Sequence, residues 1–359
     1  MAYTTIDDPS AYFQTALYTG TGSNQSITND GNSDLQPDWV WVKDRGATND
    51  HKITDSSRLS SGNPTITLES NENTAEYDDA DPAATTSFNS DGFTIGTNGN
   101  YNTNTNTYVA WQWKANGGTT TTNDASSTGV GSIDSVYQAN TTAGFSIVTY
   151  TGAASGSTGF TIAHGLSAVP KLIIVKNRDS TYPWEVFHGF ERGDGARHYG
   201  LSLDDTHAQN NSDTYWNDTN PTSTVFSVRE SDTTNRNGDK FVAYCFSEIQ
   251  GYSKFGGYTG NGNADGAFVY TGFKPAWVMF KQIGNTGGWT MKDNKRSPQN
   301  PADERLLADA NNAESTGADI DFLSNGFKCR TTSNAVNGSE SYIYMAFAEH
   351  PFVSSKGVP

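Results

Sequence analysis

A segment that begins with proline and ends with lysine occurs three times in the chain, and it constrains the fold more than any other feature. Its copies are residues 37–43 (PDWVWVK), 170–176 (PKLIIVK) and 275–281 (PAWVMFK). Proline cannot donate to a sheet ladder, so it suits the first residue of a strand, and the aromatic and β-branched residues that follow favour a strand. Both faces of each copy are apolar, which is typical of a strand inside a sheet. The pattern predicts three central strands around which the chain is arranged.

Two further landmarks repeat in the same order. The tripeptide Tyr-Thr-Gly begins at Tyr18, Tyr150 and Tyr258, and an aromatic strand occupies residues 108–113, 241–246 and 342–347. The first and second copies of all three landmarks lie 132 or 133 residues apart, and the second and third lie 101 to 108 apart. Such agreement predicts an internal triplication.

One face of the aromatic strand is uniformly bulky, so we expect it to point into the core. Its residues are Val109, Trp111, Trp113, Val242, Tyr244, Phe246, Ile343, Met345 and Phe347.

The fold class predicted is all-β, with three tandem β-sandwich repeats of jelly-roll or immunoglobulin-like type and long polar loops. The strands predicted in the first copy are residues 13–18, 25–28, 39–43, 52–55, 65–69, 93–96 and 108–113. The one helix candidate is residues 302–311. The predicted organisation is repeat 1 at 1–115, a polar linker or surface excursion at 116–142, repeat 2 at 143–250 and repeat 3 at 251–359.

Composition limits the classes of function. Only 34% of residues are hydrophobic and the mean hydropathy is −0.63, which favours several small cores over one large core. The formal charge of −16 repels phosphate backbones, so nucleic acid is not an expected partner. The beginning of the chain lacks a basic segment followed by an apolar run, and no stretch is apolar enough to span a membrane. We therefore expect synthesis in the cytoplasm, with no membrane insertion.

The residues that commonly carry chemistry show no catalytic pattern. The six histidines lack zinc-ligand spacing, and no phosphate loop, nucleophile elbow or Cys/His pairing occurs. Acidic groups at 78–81, 204–205 and 319–321 could serve glycoside hydrolysis or calcium binding, but they fall in predicted loops. The prediction is a protein that is not an enzyme, with no catalytic residues, no metal and no cofactor. The two cysteines, Cys245 and Cys329, are expected to be packed thiols.

Charged residues beside the central strands have structural interpretations. Asp55 with Arg58 and Asp293 with Arg296 are expected to fix turns through carboxylate–guanidinium contacts, with residues 188–192 as the middle version. The lysines that close the three central strands are expected to lay their stems over the sandwich edge and keep their amines in water. They are Lys43, Lys176 and Lys281.

Aromatic residues outside the repeated strands suggest a binding surface. The densest group lies in the second copy, and its last two members sit in a polar, loop-like stretch at residues 210–218. The predicted binding residues are Tyr182, Trp184, Tyr199, Tyr215 and Trp216.

Several motifs resemble a mostly uncharacterised repeat family of virion structural or fibre proteins from marine tailed phages, of the cyanophage and pelagiphage kind. The motifs are residues 2–9 (AYTTIDDP), 18–22 (YTGTG), 36–43 (QPDWVWVK), 90–95 (SDGFTI), 108–114 (YVAWQWK), 251–256 (GYSKFG) and 351–359 (PFVSSKGVP). The resemblance spans the chain and supplies no catalytic residues. It implies a protein carried on the phage particle.

The function expected from these observations is a phage virion structural protein on the particle surface, as a tail or head fibre or appendage with a role in host attachment. Expected partners are further copies of itself, with a homotrimer favoured by analogy, other virion proteins and a host surface glycan. Two alternatives stay open: a glycan-binding β-sandwich module and a polysaccharide depolymerase.

Overall fold

The computed structural model describes residues 4–80, 84–154, 159–190 and 195–351. The described residues leave out parts of the motifs predicted at 2–9 and 351–359 and the outer ends of the first and third predicted repeats. They also leave out Asp81 of the acidic group at 78–81 and Arg192 of the turn at 188–192. We call residues 4–115 the first section, 116–250 the second and 251–351 the third.

The protein is all-β, as the sequence predicts, with several sheets and only short helices. The strands of the first section are β1 (Phe13–Thr19), β2 (Gln25–Ile27), β3 (Trp39–Asp44), β4 (Lys52–Asp55), β5 (Ile66–Thr67), β6 (Tyr77–Asp78), β7 (Thr85–Phe88), β8 (Phe93–Ile95) and β9 (Thr107–Trp113). Those of the second are β10 (Thr121–Asn123), β11 (Ser135–Asn140), β12 (Phe145–Thr151), β13 (Phe160–Ala163), β14 (Pro170–Asn177), β15 (Glu185–His188), β16 (Tyr199–Ser202), β17 (Asn210–Asn211), β18 (Val225–Val228) and β19 (Lys240–Ser247).

The third section completes the list of elements. Its strands are β20 (Ser253–Thr259), β21 (Phe268–Tyr270), β22 (Phe273–Gln282), β23 (Thr290–Asp293), β24 (Ala302–Leu307), β25 (Ser315–Leu323), β26 (Gly326–Cys329) and β27 (Ser341–Pro351). The helices are single turns, α1 (Gly99–Asn102), α2 (Ala125–Thr128), α3 (Asp213–Trp216) and α4 (Asp232–Asn235), with 3-10 turns at Pro9–Ala11 and Ala196–His198. None of the described helices is long and apolar enough to cross a bilayer.

One order of four antiparallel strands occurs in all three sections. It is β1-β9-β3-β4 in the first, β12-β19-β14-β15 within an eight-stranded sheet in the second, and β20-β27-β22-β23 within an eight-stranded sheet in the third. In each, the aromatic strand pairs with the strand that ends at the Tyr-Thr-Gly motif on one side and with the Pro-to-Lys strand on the other. The three predicted landmarks therefore become neighbouring strands.

A central core joins the three sections, which corrects the expectation of small cores alone. The bulky face of each aromatic strand points into it, and all nine residues predicted for that face are members. Rings meet across the section boundaries: Trp39 stacks on Tyr244 at 4.6 Å, Phe246 meets Phe347 at 5.9 Å, and Phe347 stacks on Phe13 at 5.2 Å. Three outer cores, one under each section, cover the opposite faces, and both free cysteines are buried in two of them.

The structure corrects the helix predicted at 302–311, because this segment contains strand β24. Ala302 and Leu306 are buried whereas Asp303 is exposed, and β24 pairs with β23 and β25. Pairing on both sides satisfies the backbone groups of the strand, and this outweighs the weak helix preference of Glu, Arg and Leu.

The predicted linker at 116–142 is also different in the structure, because it contributes strands β10 and β11 to the sheet of the second section. Its start is fixed to the first section by the buried Asp38, whose carboxylate accepts hydrogen bonds from the N–H groups of Ala115, Gly117 and Gly118 at 2.8 to 2.9 Å. The small residues at the start of this segment allow close backbone contacts with Asp38 and do not form a flexible linker.

Candidate binding surface

The three lysines that close the central strands are buried, which corrects the expectation that their amines lie in water. Lys43 Nζ donates to the backbone carbonyls of Asp44 (2.6 Å) and Ala47 (3.0 Å). Lys176 and Lys281 each donate to one carbonyl of their own section and one of the preceding section, Asn73 O (3.1 Å) and Asp205 O (3.1 Å). Burial lowers the pKa of each amine to about 8.

Ring nitrogens at equivalent positions, eight residues after each of these lysines, tie the sections together in a closed cycle. The contacts join His51 Nε2 to Leu307 O at 2.9 Å, Trp184 Nε1 to Glu69 O at 2.8 Å, and Trp289 Nε1 to Ser202 O at 2.8 Å. The first section thus bonds to the third, the second to the first, and the third to the second. Trp41 Nε1 donates to His51 Nδ1 at 2.9 Å, so the other ring nitrogen of His51 carries the proton that Leu307 accepts.

The two predicted carboxylate–guanidinium turns are confirmed. Arg58 Nε donates to Asp55 at 2.6 Å and Arg296 Nε donates to Asp293 at 2.6 Å, with all four side chains buried. Each pair also contacts another section, because Tyr244 Oη donates to Asp55 at 2.7 Å and Trp111 Nε1 donates to Asp293 at 3.1 Å.

His188 holds the matching position in the second section. In the sheet, Asp55, His188 and Asp293 pair with Trp39, Leu172 and Trp277. His188 Nε2 lies 3.1 Å from the carbonyl oxygen of Tyr344, so this position also reaches the next section. These buried polar groups are used to hold the sections together.

Two of the five predicted binding residues are buried, so their side chains do not form an exposed surface. Trp184 is 0% exposed, belongs to the central core and makes the cross-section bond described above. Trp216 is 1% exposed in the outer core of the second section, where it packs against Phe187 and donates to Tyr199 O at 3.1 Å. A large indole ring favours burial in apolar surroundings. The polar residues on either side of Trp216 in the sequence give no indication of this burial.

The three tyrosines of the group divide between two places. Tyr199 is half-buried and lies near Ile283 and Ile343, at the boundary with the third section. Tyr182 and Tyr215 are half-buried and both contact the helical turn α4 or its end: Arg236 donates to Tyr182 Oη, and Thr234 Oγ1 donates to Tyr215 O at 3.2 Å. Tyr182 and Tyr215 thus both contact residues 234–236, whereas Tyr199 lies at the boundary with the third section.

A buried carboxyl group that the sequence did not single out lies beside Tyr215. Glu185 is 3% exposed and accepts a hydrogen bond from Thr233 of α4 at 3.2 Å. Burial raises its pKa well above the ordinary range. Gly200 makes room for it, since a Cβ there would lie 1.9 Å from Glu185 Oε1 and 2.7 Å from the ring of Tyr215. An acid inside a β-strand gives no sequence signal that distinguishes it from a surface residue.

The acidic and histidine groups weighed from the sequence do not converge on a metal site in the described residues, where no cluster of three or more His, Cys, Asp or Glu side chains could hold an ion. His207 pairs with Asp205, and His198 lies 3.1 Å from Asp218.

The fold and these contacts define an all-β protein of three cross-linked sections around a shared aromatic core. The chain belongs to the DUF7483 family, a domain of unknown function whose model matches residues 8–351. No curated protein matches the chain, and no solved structure matches it.

Proposed function

We propose that this protein is a non-enzymatic structural component of the surface of a tailed-phage particle, built from three tandem β-sandwich repeats. It would be synthesised in the host cytoplasm and then join a fibre or appendage that attaches to the host. The observation that carries the proposal is the closed cycle of ring N–H contacts between the sections, because it makes a rigid body without further chains. A particle component exposed to the environment needs this rigidity.

Matching contacts at matching positions support a common origin of the repeats. In the first section Asn106 Nδ2 donates to Asp44 at 2.7 Å, and in the second Asn177 Nδ2 donates to Asp239 at 2.9 Å. The amide and the carboxylate have changed places while the bond is kept, as expected when duplicated units diverge under the same packing requirement. The proposed repeats are residues 1–115, 143–250 and 251–359, with 116–142 between the first two.

The hydroxyl groups of the Tyr-Thr-Gly motifs give a second line of support. Tyr18, Tyr150 and Tyr258 each donate to a backbone carbonyl six or seven residues before the aromatic strand, and each ring stacks on the first ring of that strand at 5.0 to 5.1 Å.

Host attachment would use the surface around Tyr182 and Tyr215, which both contact residues 234–236. Arg236 lies over the Tyr182 ring at 5.4 Å, an arrangement that leaves a flat, partly apolar surface for a host glycan. The formal charge of −16 favours solubility of a protein present in many copies.

Mass spectrometry of purified particles of a phage that encodes this chain tests the proposal. We expect its peptides in intact particles, and we expect antibody-bound gold to label the particle surface. Absence of the chain from the particles would refute the proposal.

The assembly proposed is a homotrimer, which light scattering of the purified protein tests. A trimer has three times the 38.7 kDa mass of the chain, and a mass of one chain at micromolar concentration would refute this part.

A further inference from the structure

The three sections meet along three equivalent seams, and the structure fills two of them. A seam is the place where the turn after β4, β15 or β23 lies against a strand of the neighbouring section. Between the first and second sections, Gln138 Nε2 fills the seam and donates to Ser56 Oγ (2.8 Å) and Ser57 Oγ (3.0 Å). Between the second and third sections, the ring of Phe190 fills the seam. It lies so close to Gly257 that a Cβ on this glycine would be 2.4 Å from the ring.

The seam between the third and first sections is open. It holds a cleft of about 180 Å³. The walls come from β1 and the loop after β2 on one side, and from the turn after β23 and the end of β27 on the other. The lining includes Phe13, Thr15, Asp30, Asn294 and Lys295.

Thr15 lines this cleft, and its hydroxyl has no hydrogen-bond partner among the described residues. The side chain is only 5% exposed. A buried hydroxyl without a partner costs about 1–3 kcal/mol. At the wall of an open cleft, such a group gains a partner when a polar ligand binds.

The fold itself does not require threonine at this position. Thr15 pairs across the sheet with Trp111, and the matching pairs of the other sections are Ile147 with Tyr244 and Phe255 with Met345. The other two sections thus carry large apolar residues at the position of Thr15. The small polar residue occurs only at the seam that is open.

The charges around the cleft limit the ligand. Its carboxylates already have partners: Asp8 accepts from Ser10 (2.7 Å) and Ser33 (2.7 Å), Asp30 pairs with Lys295 at 2.8 Å, and Glu349 pairs with Lys274 at 2.6 Å. A cation would find no free carboxylate there. An anion would face the field of these acidic groups, so a neutral ligand fits best.

We propose that this cleft binds one ring of a neutral carbohydrate, with a sugar hydroxyl bonded to Thr15 Oγ1. A hydroxyl both donates and accepts, so another hydroxyl satisfies it fully. Phe13 supplies an apolar wall, and the volume is below the roughly 300 Å³ at which pockets for drug-sized ligands begin, which suits a single sugar ring. This inference gives the proposed surface protein a second carbohydrate site, apart from Tyr182 and Tyr215, and to that extent rests on the proposed function.

Saturation-transfer NMR of the full chain tests the inference with the methyl α-pyranosides of glucose, mannose and galactose, followed by titration calorimetry with the sugar that gives the strongest signal. We expect a Kd of about 1 mM, which suits a ligand that makes few contacts. Thr15→Val removes the hydroxyl and keeps the shape, and should weaken binding at least tenfold. Thr15→Phe introduces the side chain of the third section and should abolish binding.

Thr141→Val is the matched control, since Thr141 is exposed in the second section, and it should bind as the wild type does. Thr15→Val should melt at or above the wild-type temperature, which separates lost binding from lost folding even if Thr15→Phe fails to fold. The inference is overturned if none of the sugars gives a signal, or if Thr15→Val binds as tightly as the wild type. Either outcome is independent of whether the chain is found in particles, so the two proposals fail separately.

Discussion

The amine of Lys176 is buried, and it donates hydrogen bonds to the backbone carbonyls of Asn73 and Asn177. Lys176→Met should lower the free energy of unfolding by about 1–3 kcal/mol at pH 7.5, because the carbonyls of Asn73 and Asn177 lose their donor. Urea denaturation measures the loss. Lys171→Met is the control, because Lys171 is exposed on the same strand, and it should change stability by less than about 0.5 kcal/mol.

The same lysine predicts a pH dependence. Its pKa is about 8 in the folded state against 10.5 ordinarily, so between these values the unfolded state binds more protons and stability rises with pH. From pH 7.5 to 9, Lys176 should add about 1 kcal/mol to the wild-type protein. Lys176→Met should lack this increment, and an equal response of the two proteins would contradict a buried amine.

The pH dependence of stability that Glu185 causes has the opposite sign to that of Lys176. Its folded-state pKa is raised by burial, so its contribution is complete below the unfolded pKa and is lost as pH rises toward the folded value. Glu185→Gln cannot ionise, and its stability relative to wild type should increase between pH 5 and 7, by up to about 1.4 kcal/mol per pH unit. Denaturation curves at pH 5, 6 and 7 measure this, and a constant difference would show that Glu185 is solvated.

At the scale of elements, the third residue of the Tyr-Thr-Gly motif is fixed by a close backbone approach. A Cβ on Gly152 would lie 2.1 Å from the carbonyl oxygen of Arg236, and Gly20 and Gly260 have equivalent contacts at 2.2 and 2.1 Å. Gly152→Ala should therefore destabilise the protein by about 2 kcal/mol or more. Thermal melting measures it, with Gly46→Ala as control, since the nearest atom to a Cβ there is 3.8 Å away. Equal melting temperatures would mean that the turn is not constrained.

The elements that the sequence predicts well are those whose residues face apolar surroundings on both sides. The Pro-to-Lys strands, the aromatic strands and the inward face of Trp111 and its equivalents follow from local pattern alone. Strand β24 and strands β10 and β11 do not, because their polar residues show no strand pattern and become strands only through pairing with the adjacent strands of the sheet.

In the candidate site, too, local sequence pattern predicts some residues and not others. The Asp55–Arg58 turn is local and was predictable, whereas the burial of Trp184 and Lys176 depends on the first section closing over the second. The open seam beside Thr15 depends on how the first and third sections meet, and no local pattern contains that information.

At the scale of the molecule, the central core makes each section depend on the other two. Trp39 of the first section packs against Tyr244 and Phe145 of the second, at 4.6 and 5.8 Å. Trp39→Ala should cost about 3–5 kcal/mol through the cavity it leaves. Because the sections share this core, the loss should not stay within the first section.

Hydrogen exchange of the wild type and Trp39→Ala, followed by mass spectrometry, tests the shared core most directly. The amides of β3, β14 and β22 report on the three sections, and we predict that exchange in all three becomes faster together in the variant. Faster exchange in β3 alone, with β14 and β22 unchanged, would contradict a single core built by three sections.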